Sequence, residues 1–159
     1  MCLIISSNSE ALIAENDIEC YKIVLKNKNI FFKKYYTLAR LIHIKLGKEY
    51  TSDFEFGTET KFIPRAGHSF TKRTIEKGLH SFTNLREAKS FCQTELLDNS
   101  YHYYIVKCII PKNSKYYFGR FGDREGYASN CIKYTEEIVY DHTKEKKKIN
   151  KILDEILNS

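Results

Sequence analysis

A histidine and a serine, followed closely by an asparagine, precede a predicted helix in the stretch TIEKGLHSFTNLREAKSF, residues 74–91. The first N–H groups of a helix have no partner within the helix, and together with the helix dipole they favour a negatively charged ligand. His80, Ser81 and Asn84 would add polar side chains at that place. This grouping predicts a ligand-binding site for an anion such as a phosphate.

The alternative for the same residues is purely structural. Leu79 and Phe82 would pack into the core, His80 would face solvent, and Ser81 would help to cap the helix. Asn84 stands three residues before Glu87, as in a capping box, which predicts that a helix begins there. The apolar residues that follow at helical spacing are Leu85, Ala88, Phe91, Cys92 and Leu96. One internal helix is therefore expected in either case.

The elements around this stretch are predicted to be strands. Two β-rich runs flank KNKN within residues 20–36 and indicate a hairpin. Residues 39–56 are predicted to form a strand, a turn at Gly47 and a second strand, and a short helix is the alternative. The run YHYYIVKCIIP from Tyr101 to Pro111 is the strongest strand pattern and is expected at a central position, and CIKYTEEIVY closes the sheet.

The tail, residues 141–159, has the pattern of an amphipathic helix. Its apolar residues at helical spacing are Ile149, Ile152, Leu153, Ile156 and Leu157. A chain of 159 residues can bury one core and is too short for two ordinary domains, so a single domain over residues 1–159 is expected. The predicted class is α+β: a mainly antiparallel, twisted sheet with one internal helix and a C-terminal helix.

Residues 78–138 resemble the C-terminal half of ADP-ribosyltransferase-like domains. The resemblance lies in KGLHSFTNLREAKSF, in the strand and turn YYIVKCIIPKNSKYY, and in the charged stretch followed by YASNCIKY. In that superfamily a strand carrying Ser-Thr-Ser precedes a helix, and a later strand bears a catalytic glutamate. The resemblance implies an ADP-ribosyltransferase-like scaffold for this half of the chain.

The same resemblance implies roles for three residues. Ser81 falls at a serine of the motif that orders the NAD pocket. Glu125, in DREGYAS, matches the catalytic glutamate, which orients a ribose hydroxyl of NAD and stabilises an oxocarbenium-like transition state. Tyr21, on the first strand, takes the place of the residue that holds the dinucleotide. If the enzymatic alternative holds, NAD is the implied cofactor.

The overall layout is also similar to short uncharacterised proteins of bacteria and their phages, for which no reaction follows. On that resemblance the chain is expected to be a binding or accessory protein. Its partner would be an anionic small molecule or another protein, and neither its ligand nor its oligomeric state follows from the sequence.

The cysteines indicate a reducing compartment and no metal site. They are odd in number, widely spaced and without a C-x-x-C pair, which predicts reduced, mostly buried thiols. Cys2 allows a second interpretation, because removal of Met1 would leave a thiol beside a free amine, as in N-terminal nucleophile enzymes. The simpler interpretation of CLII is a first buried strand. The five positions are Cys2, Cys20, Cys92, Cys108 and Cys131.

The chain is basic, with a formal net charge of +6 and a pI of about 9.0. An anionic partner is therefore favoured, and nucleic acid is one candidate. The aromatic and basic stretches FFKKYY and SKYYFGRFGDR could stack bases between cations, although such alternation is more often core residues flanked by lysines. No apolar run is long enough to span a membrane and no leader is evident, so a cytoplasmic location is expected.

Three functions follow, in this order. The first is a small cytoplasmic binding or accessory protein on an ADP-ribosyltransferase-like scaffold. The second is an NAD-dependent ADP-ribosyltransferase, and the third is a nucleic-acid-binding protein. In each case the pair His80-Ser81 and the predicted loop from Asp123 to Ser129 are expected to approach each other across a cleft, with Asp123 and Ser129 adding ligand-binding groups.

Overall fold

The computed structural model describes residues 2–26, 34–38, 41–62, 70–94, 103–138 and 151. Fourteen strands and one helix lie within these residues. They are β1 (Leu3–Ser6), β2 (Leu12–Ile13), β3 (Ile18–Lys26), β4 (Tyr35–Thr37), β5 (His43–Ile44), β6 (Glu49–Thr51), β7 (Glu55–Phe56), β8 (Thr60–Phe62), β9 (Phe70–Lys77), β10 (Leu79–Phe82), α1 (Leu85–Thr94), β11 (Tyr103–Ile110), β12 (Lys115–Phe121), β13 (Arg124–Ser129) and β14 (Cys131–Ile138).

All of these strands belong to one sheet, which curls into a half-barrel. The main path through it is β6-β14-β11-β3-β10-β13-β12-β1-β9-β7. Every strand pair in the described part of the chain is antiparallel. The predicted strong strand is confirmed as β11, and it has a neighbour on each side.

The predicted α+β class is wrong, because the fold is nearly all-β. The largest difference lies at the predicted loop from Asp123 to Ser129, within RFGDREGYASN. Here β12 and β13 form a hairpin with its turn at Gly122 and Asp123, and Gly122 has a φ of +66°, a conformation that glycine adopts without strain. The predicted C-terminal helix of residues 141–159 lies outside the described residues, apart from residue 151, which is helical.

The sheet has a different apolar cluster on each face. Side chains of directly opposite residues share a face, and successive residues alternate between faces. We call one face the helix face, because α1 packs there through Ala88 and Cys92; its strand residues include Tyr21, Phe82 and Ala128. We call the other the tyrosine face; its residues include Cys20, Ser81, Tyr116, Tyr127 and Tyr134.

The internal helix follows the predicted pattern. The Glu87 N–H donates to Asn84 Oδ1 at 3.0 Å, so Asn84 is the N-cap. Ala88 and Cys92 are fully buried against the sheet, and Leu85 and Phe91 pack beside them. Helix and sheet are therefore joined by the apolar stripe that the sequence indicates.

Candidate functional site

The histidine-serine pair lies inside a central strand. Strand β10 has β3 on one side and β13 on the other. His80 is opposite Ala128, and Ser81 is opposite Tyr127. The pair therefore lies inside the sheet and is not the rim of a cleft, and its two side chains lie on opposite faces of the sheet.

His80 is on the helix face. Its ring meets the Phe121 ring edge-on, with centroids 5.7 Å apart, and it is partly buried. The prediction that His80 belongs to a ligand-binding site with Ser81 is not supported by this placement, and the alternative that it faces solvent is also wrong. His80 packs against a core aromatic residue.

Ser81 lies on the tyrosine face and is only 2% exposed. Its hydroxyl contributes to lowering the pKa of the Cys20 thiol on the adjacent strand. Lys22, two residues further along β3, donates from Nζ to the backbone carbonyl of His80 at 2.8 Å. Burial lowers the pKa of Lys22. Ser81 is thus part of a buried polar group of side chains, and the helix is capped by Asn84 instead.

Asp123, Arg124 and Glu125 are consecutive in the chain, but their side chains lie in three different places around the hairpin turn. Asp123 is in the turn and contacts Arg124, with 3.2 Å between carboxylate and guanidinium. Arg124 is buried on the helix face, where Nε donates to Ser90 Oγ at 3.2 Å. Glu125 is exposed and lies on the tyrosine face. Arg124 thus fastens α1 to the sheet, and the two carboxylates do not form a pair.

Tyr21, the predicted dinucleotide holder, lies away from Ser81 and Glu125. It is opposite Phe82, so its side chain is on the helix face. Its hydroxyl donates to the Glu19 carboxylate, and this hydrogen bond raises the pKa of Tyr21 to about 12. Glu19 is in turn 2.7 Å from Lys107 Nζ.

The sheet therefore divides the predicted site. Ser81, Glu125 and Ser129 share the tyrosine face, whereas Tyr21 and His80 lie on the helix face. Ser129 is fully buried, and its hydroxyl donates to the Leu79 carbonyl at 3.3 Å, so it joins two strands. The expected approach of two loops across a cleft is wrong, because residues 124–129 are a strand that pairs directly with β10.

Aromatic side chains form an exposed surface on the tyrosine face. The sequence analysis interpreted the aromatic residues of this region mainly as core residues. Phe118 is opposite Tyr127, and their ring centroids are 5.9 Å apart. Tyr116 meets Tyr127 edge-on at 5.6 Å. Leu12, opposite Tyr116, extends this apolar surface and is 50% exposed. We call these four residues the aromatic patch.

Phe118 is the most exposed ring of the patch, with 47% of its surface accessible. Tyr116 and Tyr127 are partly exposed, and burial raises the pKa of Tyr127. The signal in the sequence was the alternation in SKYYFGRF, where every second residue points outward. The inward residues are Tyr117, Gly119 and Phe121.

Charged side chains border the aromatic patch. Arg120 follows Phe118 on the same face and is opposite Glu125. Both are exposed. Lys22 on β3 lies on the same face, two strands from Tyr127 on β13. An aromatic surface beside an arginine can hold planar, anionic molecules by stacking and by charge.

Within the described residues, no group of three or more His, Cys, Asp or Glu side chains is arranged to hold a metal ion. The one described helix falls well short of the length and apolarity needed to cross a membrane. Comparisons with protein-family models, curated proteins and solved structures find no match to this chain.

Proposed function

We propose that this chain is a binding protein that takes single-stranded nucleic acid on the aromatic patch. The observation that carries this proposal is the contact between Phe118 and Tyr127, whose rings lie on one sheet face 5.9 Å apart while Phe118 stays 47% exposed. A cytoplasmic location and the role of an accessory protein belong to the same proposal.

Stacking supplies the first part of the affinity. Unpaired bases expose flat π-faces, and aromatic side chains on a sheet surface stack on them with little dependence on sequence. Tyr116, Tyr127 and Phe118 form a continuous row, so bases can stack on more than one ring. A base stacked on Phe118 would cover apolar surface that is otherwise exposed to water.

Charge supplies the second part. The chain carries a net charge of +6, which attracts a polyanion from a distance. Arg120 lies beside Phe118 on the same face, where its guanidinium can meet a phosphate or stack on a base. Glu125, opposite Arg120, reduces the positive potential at that edge of the patch.

The second candidate is the NAD-dependent ADP-ribosyltransferase, with Glu125 as its catalytic residue. It is favoured by one observation: Ser81 and Glu125 share a face on paired strands. Two observations count against it. Ser81 is buried beneath the surface, and Tyr21 is on the opposite face, so the residue expected to hold the dinucleotide cannot reach the same ligand.

Titration of fluorescently labelled oligonucleotides, followed by anisotropy, tests the proposal. We expect the full chain to bind single strands more tightly than a duplex of the same sequence, because a duplex hides the faces of its bases. Affinity should fall as salt is raised from low to physiological concentration, since counterions are released on binding. Absence of binding to any single strand at low salt would contradict the proposal.

Glu125→Gln separates the two candidates. On the nucleic-acid proposal this substitution removes a negative charge from the edge of the patch, so binding should stay equal or become tighter. On the transferase hypothesis it should abolish NAD turnover without unfolding the chain. Measurable NAD turnover by the wild type that Glu125→Gln eliminates would favour the transferase.

A further inference from the structure

Two cysteines stand face to face across the centre of the sheet. Cys20 on β3 is directly opposite Cys108 on β11, within an unbroken register that runs from Ile18 to Leu25. Directly opposite residues of antiparallel strands have Cα atoms about 4.5–5.5 Å apart. A disulfide requires a Cα separation of about 4.4–6.8 Å. The backbone therefore already has the spacing for a disulfide between these two residues.

The side chains also point toward each other. Both lie on the tyrosine face and both are fully buried, and each thiol affects the pKa of the other. No disulfide joins the described cysteines. The pair is thus a reduced dithiol whose sulfur atoms are already neighbours, and no strand needs to change its register for them to react.

The two thiols have different surroundings. Cys20 shares its face with Ser81 and with Lys22, which is two residues further along β3, and both side chains lower the pKa of its thiol. The hydrogen bond from Cys108 lowers the pKa of Cys20, with smaller contributions from Ser81 and Lys22. Burial raises the pKa of Cys108, and its thiol contacts the Val106 carbonyl at 3.4 Å.

The remaining cysteines lack this arrangement. Cys92 is buried on the helix face, and burial raises its pKa to about 12. Burial and a hydrogen bond to Glu49 raise the pKa of Cys131 to about 11. Neither is opposite another cysteine in the described strand pairs.

We propose that Cys20 and Cys108 form a redox-active dithiol site that takes a hydroperoxide, with Cys20 as the attacking thiol and Cys108 as the resolving thiol. The Cys20 thiolate attacks one oxygen of hydrogen peroxide; the O–O bond breaks, a sulfenic acid forms, and the other oxygen leaves as hydroxide, which takes the proton released by the Cys20 thiol and becomes water. The Cys108 sulfur then attacks the Cys20 sulfur; an S–S bond forms, the S–O bond of the sulfenic acid breaks, and the hydroxyl leaves as a second water with the proton of the Cys108 thiol.

Hydrogen peroxide suits this site because it is small and uncharged. A bulky disulfide oxidant such as oxidised glutathione would have to open the sheet to reach two buried sulfur atoms. Hydrogen peroxide needs a much smaller opening of the sheet to reach them. The site is independent of the aromatic patch, and its failure would leave the proposed function unaffected.

The experiment treats the full-length reduced chain with hydrogen peroxide, blocks the remaining thiols by alkylation and measures the intact mass without reductant. We expect a loss of two hydrogen atoms that dithiothreitol reverses, and a peptide map that joins Cys20 to Cys108. In Cys108→Ser we expect dimedone, added together with denaturant after the peroxide so that it can reach buried Cys20, to trap a sulfenic acid at Cys20. Cys92→Ser, a buried cysteine outside the pair, should behave as the wild type.

Three results would overturn the proposal. The peptide map could join other cysteines, or no disulfide could form at a peroxide concentration that already oxidises Cys2. The third is a Cys20→Ser variant that forms a disulfide to the same extent as the wild type. If a serine variant does not fold, the peptide map of the wild-type chain alone decides between these outcomes.

Discussion

Phe118 lies directly opposite Tyr127 on the neighbouring strand, with the two ring centroids 5.9 Å apart. Their neighbours in sequence, Tyr117 and Ala128, are also opposite each other and are buried on the other face. One hairpin thus serves both the core and the surface. The residues that fix the strands in the sheet alternate with the rings of the aromatic patch on the other face.

The N-cap of α1 offers a direct test of helix stability. Asn84→Ala removes the acceptor of the Glu87 N–H and should lower the free energy of unfolding by about 1 kcal/mol. Asn84→Asp keeps an acceptor and favours the helix dipole, so it should retain the wild-type stability. Urea denaturation measures both variants. Equal midpoints for the wild type and Asn84→Ala would show that the cap is not needed.

Features set by local sequence were predictable. The Asn84 cap with its apolar stripe identifies α1, and the continuous apolar run identifies β11. The hairpin at Gly122 was not recognised, because glycines and charged residues in RFGDREGYASN are also typical of a loop. In the sheet Gly126 of this stretch is opposite Gly119, which precedes the stretch. Their lack of side chains is what lets the strands and Phe121 pack closely.

The division of the predicted site could not be derived from the sequence. Which face a strand residue occupies depends on register, and a shift of one residue moves every side chain to the other face. Tyr21 and Ser81 are both on strands, as a resemblance to ADP-ribosyltransferase-like domains would require. Only the pairing of Tyr21 with Phe82 separates them. The pairing of Cys20 with Cys108 depends on register in the same way.

Gly126 is expected to tolerate no larger residue. A Cβ at this position would lie 2.1 Å from Cε2 of Phe121, a buried ring of the core. An alanine in a strand ordinarily stabilises relative to glycine, but Gly126→Ala should destabilise by about 1–3 kcal/mol because Phe121 must move. Thermal or urea unfolding measures the change.

The matched control for Gly126 uses the residue that creates the clash. In a Phe121→Leu background the obstructing ring atom is absent, so the added cost of Gly126→Ala should be smaller than in the wild type. An equal cost in both backgrounds would show that Phe121 is not the obstacle.

The hydrogen bond between Tyr21 and Glu19 predicts a dependence on alkaline pH. The pKa of Tyr21 is raised from 10.0 to about 12, so the folded state holds this proton more tightly than the unfolded state. The stabilisation is fully present below the unfolded pKa and is lost as the pH rises toward 12. Phenolate absorbance should show a transition near 12 that Tyr21→Phe removes and that Glu19→Gln shifts toward 10. An unchanged titration in Glu19→Gln would contradict this assignment.

The binding of a single-stranded oligonucleotide by the Phe118→Ala variant tests the central proposal most directly. Loss of one stacked ring should cost about 1–3 kcal/mol, or roughly a 5- to 150-fold increase in Kd at constant salt. The matched control is Phe56→Ala. Phe56 is 41% exposed, but its ring contacts Tyr117 of the helix face at 5.6 Å. Anisotropy should show weaker binding for Phe118→Ala alone. Equal affinities for the wild type and both variants, or an equal loss in the two variants, would contradict the proposal that the aromatic patch binds nucleic acid.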